Sequence, residues 1–425
     1  MVILVFGILV LHWEVLWINA VVVLTLSRGI ISQNCFWWSV NDLFPDSTGA
    51  GIYKELKQRG RFVPLNVLGK ELHLVTHTED IMELLHGSPN PFGPGILKKN
   101  FFDSFMPKNV GISTNPEWKQ RRDYNDKVLE PNKTHTFHTA FDEYIQEAFA
   151  KQNPKNFGEF TEFTRKLTSK IIFGTYEYND VVYRVFRQAD SILSARFNTH
   201  PVDPSDLKEF KEYLKQQLDN PTAKTLMSLG HQHHARIPIE DVIDQIPHWV
   251  FPIAGLFSVH LPRLLVMLAN HPKDLEVVVS EVKDQTYLDR ENYCRKCILE
   301  LFRVNNAVNS TFRGLTETFQ FRNDERVFQP GTEFVFFNNP VLRDLFENPN
   351  QYVPSRWTQK LEDSHQALMF NHGNQKCPGK ELVITLLTQG LVHYLRVNDY
   401  TVSTPNKINT SFVPFMINPC SIVFE

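Results

Sequence analysis

The stretch Phe370-Asn-His-Gly-Asn-Gln-Lys-Cys377-Pro-Gly-Lys-Glu-Leu-Val-Ile-Thr-Leu-Leu387 decides how the chain is read. Phe370, Gly373, Cys377 and Gly379 stand in the spacing Phe-x-x-Gly-x-x-x-Cys-x-Gly, directly ahead of an apolar helical run. Average composition produces that spacing by chance about once in a thousand chains of this length. The glycines let a loop fold tightly beside a flat group, and amides at the start of a helix stabilise a thiolate. Such a thiolate on haem iron pushes electron density toward a bound oxygen. The other cysteines, Cys35, Cys294, Cys297 and Cys420, have no such setting, and an odd total of five fits reduced thiols better than a disulfide framework.

Outward from this loop, the pattern is mainly helical. Apolar residues recur at helical spacing in EWKQRRDYNDKVL, TAFDEYIQEAFAK, EFTRKLTSKIIFG, VVYRVFRQADSILSARF, LKEFKEYLKQQL, the long run over 238–270, PKDLEVVVSEVKD and ENYCRKCILELFRV. Strand-like runs are FVPLNVLG, ELHLVT and the stretch over 310–337. No linker or fixed-period repeat divides the rest of the chain, so 28–425 is expected to be one domain. The balance of 44 Lys and Arg against 47 Asp and Glu gives no basic field, which excludes nucleic acid as a partner. The 33 phenylalanines suit a large aromatic core or an apolar cavity.

Residues 1–26 read MVILVFGILVLHWEVLWINAVVVLTL. At about 1.5 Å per residue they reach across a hydrocarbon core of about 30 Å. Glu14 is costly there, but no basic n-region marks a cleaved signal peptide, and Arg28 follows the run. A single transmembrane anchor over 1–27 is expected, with the following domain on the cytoplasmic side and Phe36, Trp37 and Trp38 at the interface.

With the cysteine loop in place, the chain resembles the cytochrome P450 family of haem-thiolate enzymes from about residue 51 to 423. The resemblance implies a mainly α fold with a smaller β part, and haem b ligated by Cys377. It also assigns roles in order along the chain. Trp118 and Arg122 form Trp-x-x-x-Arg on the helix that faces the haem propionates, and Arg313 stands at a further propionate partner. Glu300 and Arg303 form Glu-x-x-Arg on one helix face, paired with Arg356 in a later Pro-x-Arg-aromatic setting. Ala254, Gly255 and Ser258 align with the oxygen-activation segment of the long helix, and Pro262 must disturb that helix.

Two positions depart from the family pattern. The acid of the oxygen-activation segment is Phe257, which cannot donate a proton, and its threonine is Ser258. Two residues before the cysteine stands Gln375, where the family has a basic contact to a propionate. The expectation is a monooxygenase acting on an apolar, lipid- or sterol-like molecule, with a separate reductase docking near Lys376 and Lys380. Cys-Pro-Gly-Lys is also similar to the branch that rearranges or dehydrates lipid hydroperoxides, as in allene oxide synthases. That reading, and a degenerate haem-binding protein without oxygen activation, stay open. GHQHHAR, with His231, His233 and His234, reads as a solvated loop, and Cys294 and Cys297 as ordinary thiols one helical turn apart.

Overall fold

In the computed structural model, which describes residues 46–425 apart from 68–69, 192–201, 289–290, 307, 309 and 415–416, the anchor expected over 1–27 lies outside the described residues. Helix α1 (Asp46–Gln58) leads into the antiparallel strands β1 (Phe62–Val67) and β2 (Lys70–Val75). Helix α2 (Thr78–His86), strand β3 (Phe92–Pro94) and helix α3 (Ile96–Asp103) follow. The helical body continues with α4 (Glu117–Leu129), α5 (His138–Lys151), α6 (Phe157–Phe173), α7 (Asp180–Ser191), α8 (Pro204–Asp219) and α9 (Leu226–His233). Periodicity placed α4 to α8 correctly within the described residues, the part of the α7 run over 192–197 lying outside them, but α9 is a correction to the loop expected around the histidines. Thr225 and Ser228 form a capping box that starts α9, and His231 Nδ1 shares a 2.8 Å hydrogen bond with the Leu218 carbonyl. No cluster of metal-ligating side chains occurs among the described residues.

Helix α10 (Ile239–Ala269) crosses the core. Among the described residues it is the helix long and apolar enough to span a membrane, yet 83% of its most apolar window is buried in the protein. It is apolar all round because neighbours surround it. Pro262 lacks the N–H that an α-helix would bond to the Ser258 carbonyl, and the helix opens into a π turn over 256–260 just before it. The expected disturbance therefore takes the form of a widened turn.

Helices α11 (Pro272–Asp284) and α12 (Tyr293–Val304) lead to strands β4 (Ser310–Leu315), β5 (Phe319–Gln320), β6 (Val327–Phe328) and β7 (Glu333–Phe337), then to α13 (Asn338–Asp344) and α14 (Lys380–Val397). One sheet has the order β1-β2-β7-β4-β3, with β2 and β7 parallel and the remaining neighbours antiparallel. Phe62, Phe92, Phe321, Phe328 and Phe334 pack ring on ring at this sheet, with centroids as close as 4.4 Å between Phe62 and Phe321. Such pairs contribute about 0.5–1.5 kcal/mol each beyond their buried area, so many of the phenylalanines serve the fold. Cys294 and Cys297 are buried free thiols, whereas Cys420 is disulfide-bonded, which corrects the expectation of uniformly reduced cysteines.

Candidate functional site

Between α13 and α14 the chain forms 3-10 turns at Leu368–Phe370 and Gly373–Gln375. Gly373 takes φ 70°, and a Cβ there would come within 2.5 Å of the Leu85 carbonyl oxygen at the end of α2. Glycine at this position lets the loop rest directly on that helix end. The Cys377 amide donates to the Phe370 carbonyl at 2.8 Å, which closes the loop. Burial pushes the Cys377 thiol up, while the Gly379 amide and the Arg122 and Lys380 charges pull the other way. A Cβ on Gly379 would meet no atom nearer than the Cys377 sulfur, at 4.0 Å, so open space lies beside the thiol.

Arg122, 8% exposed on α4, holds this loop. It donates to the carbonyls of Lys376 at 2.6 Å and Asn374 at 3.3 Å, and pairs with Asp126 at 2.7 Å. Arg313 on β4 is 2% exposed and donates to Ser88 Oγ and the Phe312 carbonyl, each at 2.8 Å, with no carboxylate paired to it among the described residues. Burial lowers its guanidinium to about 10. Ser88 also accepts, through its carbonyl, a 3.4 Å bond from Asn374, so Arg313 and the cysteine loop share one support. Trp118, on the first turn of α4, is half-buried, as is Gln375.

Helix α10 is almost wholly buried, but His248, Phe251 and Ala254, three residues apart, keep partial exposure. With Pro252 they form the stretch of the helix that its neighbours leave incompletely covered. Ser258 follows one turn after Ala254, and its hydroxyl donates to the Ala254 carbonyl at 2.7 Å. Phe257 points elsewhere: its ring is fully buried against Phe163 of α6 and Gly390 of α14. Phe251 meets Phe101, Phe102 and Phe186, so an aromatic wall stands beside this stretch.

Glu300 and Arg303 on α12 are fully buried and joined by two bonds, at 2.8 and 2.9 Å. Glu300 also accepts from the Trp357 indole and the Val353 amide, each at 2.9 Å, and Arg356 Nε lies 3.2 Å away without the alignment of a hydrogen bond. Arg303 in turn donates to the carbonyls of Pro349 and Gln351. The three residues named from the sequence do converge, and they tie α12 to the loop ahead of the cysteine.

A second network was not visible in the sequence. Arg295 on α12 pairs with Glu362 and, at 2.9 Å, with Glu381 at the start of α14, and Lys380 pairs with Glu362 at 2.8 Å. Of the two lysines expected to flank the cysteine, Lys376 is exposed, and Lys380 is partly exposed and holds the ion pair with Glu362. Arg295 escaped notice because its partners are far away in sequence and no periodic signal links them.

These features fit the haem that the resemblance implies: a half-buried cysteine, open space beside its sulfur, and the buried Arg313 with no carboxylate partner among the described residues. A profile described as Cytochrome P450 matches residues 264–422. The chain is 25% identical over 178 residues to "Cytochrome P450 85A1" of Brachypodium distachyon, covering 38% of each chain. It is 24% identical over 266 residues to "Abscisic acid 8'-hydroxylase 1" of Arabidopsis thaliana, covering 56% of each. The matches thus span less than two thirds of these relatives. Among solved structures, P450BioI in complex with an acyl carrier protein carrying hexadec-9Z-enoic acid superposes with a TM-score of 0.65 at 13% identity, covering 87% of this chain and 96% of that one. A 6-coordinated cytochrome P450 from Thermus thermophilus gives 0.64 at 14% identity, covering 86% and 95%.

Proposed function

Because the chain is a divergent member of the cytochrome P450 family, we propose that it is a haem-thiolate monooxygenase that inserts an oxygen atom into an apolar, lipid- or sterol-like molecule. The observation that carries the reading is the enclosure of Cys377 in a loop closed on Phe370, resting on α2 and held by Arg122. Cys377 would hold haem b, which would supply the activation of oxygen with electrons from a separate reductase.

The chain's own residues do the rest. The Gly379 amide and the Arg122 charge favour the thiolate. Arg122 and Arg313, with Trp118 on α4, would hold the propionates, and Phe370, Gly373, Gln375 and Gly379 would shape the bed of the macrocycle. Ala254, Gly255 and Ser258 would line the face opposite Cys377, and the π turn over 256–260 would give room there for a small ligand. Glu300, Arg303 and Arg356 keep α12 and the loop ahead of the cysteine in place. The aromatic wall around Phe251 excludes water and receives the apolar substrate. An anchor over 1–27 would keep one haem-thiolate domain, 28–425, at the cytoplasmic surface of a membrane. Lys376 offers the reductase a cation on the cysteine side.

One observation favours a second reading, the isomerisation or dehydration of hydroperoxides. The Ser258 proton is given to the Ala254 carbonyl, and no carboxylate stands on α10 after Asp244. A reaction that needs no proton relay would tolerate this. The reduced carbon monoxide spectrum tests the haem-thiolate assignment: wild type should show a thiolate-type Soret band and Cys377→Ala should not. Retention of that band in Cys377→Ala would overturn the assignment. Consumption of reduced nicotinamide with an added reductase, against turnover of a hydroperoxide without one, separates the two activities.

A further inference from the structure

Lys98 on α3 and His248 on α10 meet at Gly111. A Cβ on that glycine would lie 3.5 Å from Lys98 Nζ and 3.8 Å from His248 Cε1, so a helix near the start of the described chain and one in its core bring an ammonium and an imidazole to one point. Neither side chain has a hydrogen-bond or ion-pair partner among the described residues. Arg313 acts on Lys98 from β4, and Arg122 acts on His248 from α4.

Four acids on neighbouring elements are engaged elsewhere. Asp126 pairs with Arg122, Asp241 with Arg121, and Asp244 accepts from the Lys108 amide and pairs with Lys211. Glu333 of β7 accepts from the Ile96 amide at 2.9 Å. Desolvation lowers Lys98 to about 7 and His248 to about 4, with repulsion from Arg313 and from Lys98 adding to the respective shifts. Both nonetheless retain partial exposure, the combination expected of side chains that open into an enclosed space. Phe102 and Phe251, with ring centroids 6.4 Å apart, place an apolar wall on the same two helices.

A cluster of basic groups with no acid, beside an aromatic wall, is complementary to an anion on an apolar body. We propose that Lys98 and His248, with Arg313 behind them, form a carboxylate-binding subsite beside Gly111. Its ligand is a haem propionate or the carboxylate of an otherwise apolar substrate. The haem source and the substrate source both rest on the monooxygenase reading. Lys98 supplies a charge-assisted bond, His248 a second donor, and the missing side chain of Gly111 leaves the carboxylate room between them. In the propionate case, Lys98 also takes over the basic role that Gln375 cannot fill.

The test uses full-length holoprotein, wild type against Lys98→Met and Lys98→Arg. Two properties are measured: the rate of haem transfer to apomyoglobin, and calorimetric binding of dodecanoate against methyl dodecanoate. If a propionate is the ligand, Lys98→Met loses haem about tenfold faster, which corresponds to about 1.4 kcal/mol. If a substrate carboxylate is the ligand, haem loss is unchanged and the preference for acid over ester falls about tenfold. Lys98→Arg restores whichever property was lost. Wild-type behaviour of Lys98→Met in both measurements overturns the subsite. The thiolate Soret band of wild type is recorded in parallel. Its absence would overturn the haem-thiolate reading, while the calorimetric comparison, which needs no haem, still decides whether a carboxylate binds.

Discussion

A Cβ on Gly390 would lie 2.6 Å from the ring of Phe257: the glycine of α14 is the notch that receives the phenylalanine of α10. Phe163 closes the other side, with ring centroids 6.2 Å apart. The residue that replaces the family's acid is therefore a packing element, turned away from the stretch where His248, Phe251 and Ala254 are incompletely covered.

Phe257→Asp should consequently destabilise the protein rather than improve proton delivery. The loss is about 3–5 kcal/mol from emptied aromatic volume, with the desolvation of the carboxyl in addition. Urea unfolding and the product formed per reducing equivalent are the measurements. A stable variant with a higher product yield would place the ring at the distal site after all. Gly390→Ala probes the same contact from α14: it should cost about 1–3 kcal/mol through overpacking, although alanine is the better helix former by about 1 kcal/mol.

Glu300→Ala removes the acceptor of two Arg303 bonds, the Trp357 indole and the Val353 amide. Breaking a buried pair from one side costs about 3–5 kcal/mol, so the variant should lose haem content and soluble yield together. Glu300→Gln keeps an acceptor oxygen for Trp357 or Val353 and should be less damaging. Normal yield and haem content in Glu300→Ala would reduce the pair to a dispensable contact.

Arg295→Met tests the network at the start of α14. It leaves Glu362 and Glu381 facing each other with Lys380 alone to balance them. Like charges at that distance should loosen the helix start and the cysteine loop ahead of it, with a cost again of about 3–5 kcal/mol. The expected readout is faster haem loss and greater alkylation of Cys377. Unchanged rates would show that the network supports α12 only.

Stability should fall on acidification below about pH 6.5. His260 is 6% exposed against Phe302, its Nδ1 has no partner among the described residues, and burial lowers it to about 3. His135, fully buried, is lowered for the same reason. The unfolded chain binds these protons near pH 6.5 and the folded protein does not, so stability is complete above that value and declines below it. At pH 5 one such histidine contributes a loss of about 2 kcal/mol. Unfolding of wild type and His260→Leu at pH 5 and pH 7.5 checks this. The variant should lose about one proton's worth of the pH slope, and an identical slope would assign the effect to other groups.

The cysteine loop, the Glu-x-x-Arg pair with its later arginine, the helices α4 to α8 and the disturbance at Pro262 were legible in the sequence. Each is a local pattern: a spacing within one loop, a shared face set by the helical period, or a ring that removes an amide. The direction of Phe257, the ion pair that occupies Lys380, and the meeting of Lys98, His248 and Arg313 were decided by tertiary structure. Periodicity states which residues share a face of their own helix, but not which distant element that face meets. The physical reason lies in burial and charge compensation, which depend on every neighbour at once: nothing local in the sequence separates Lys98 from Lys380, and only packing puts one beside His248 and Arg313 and the other onto Glu362.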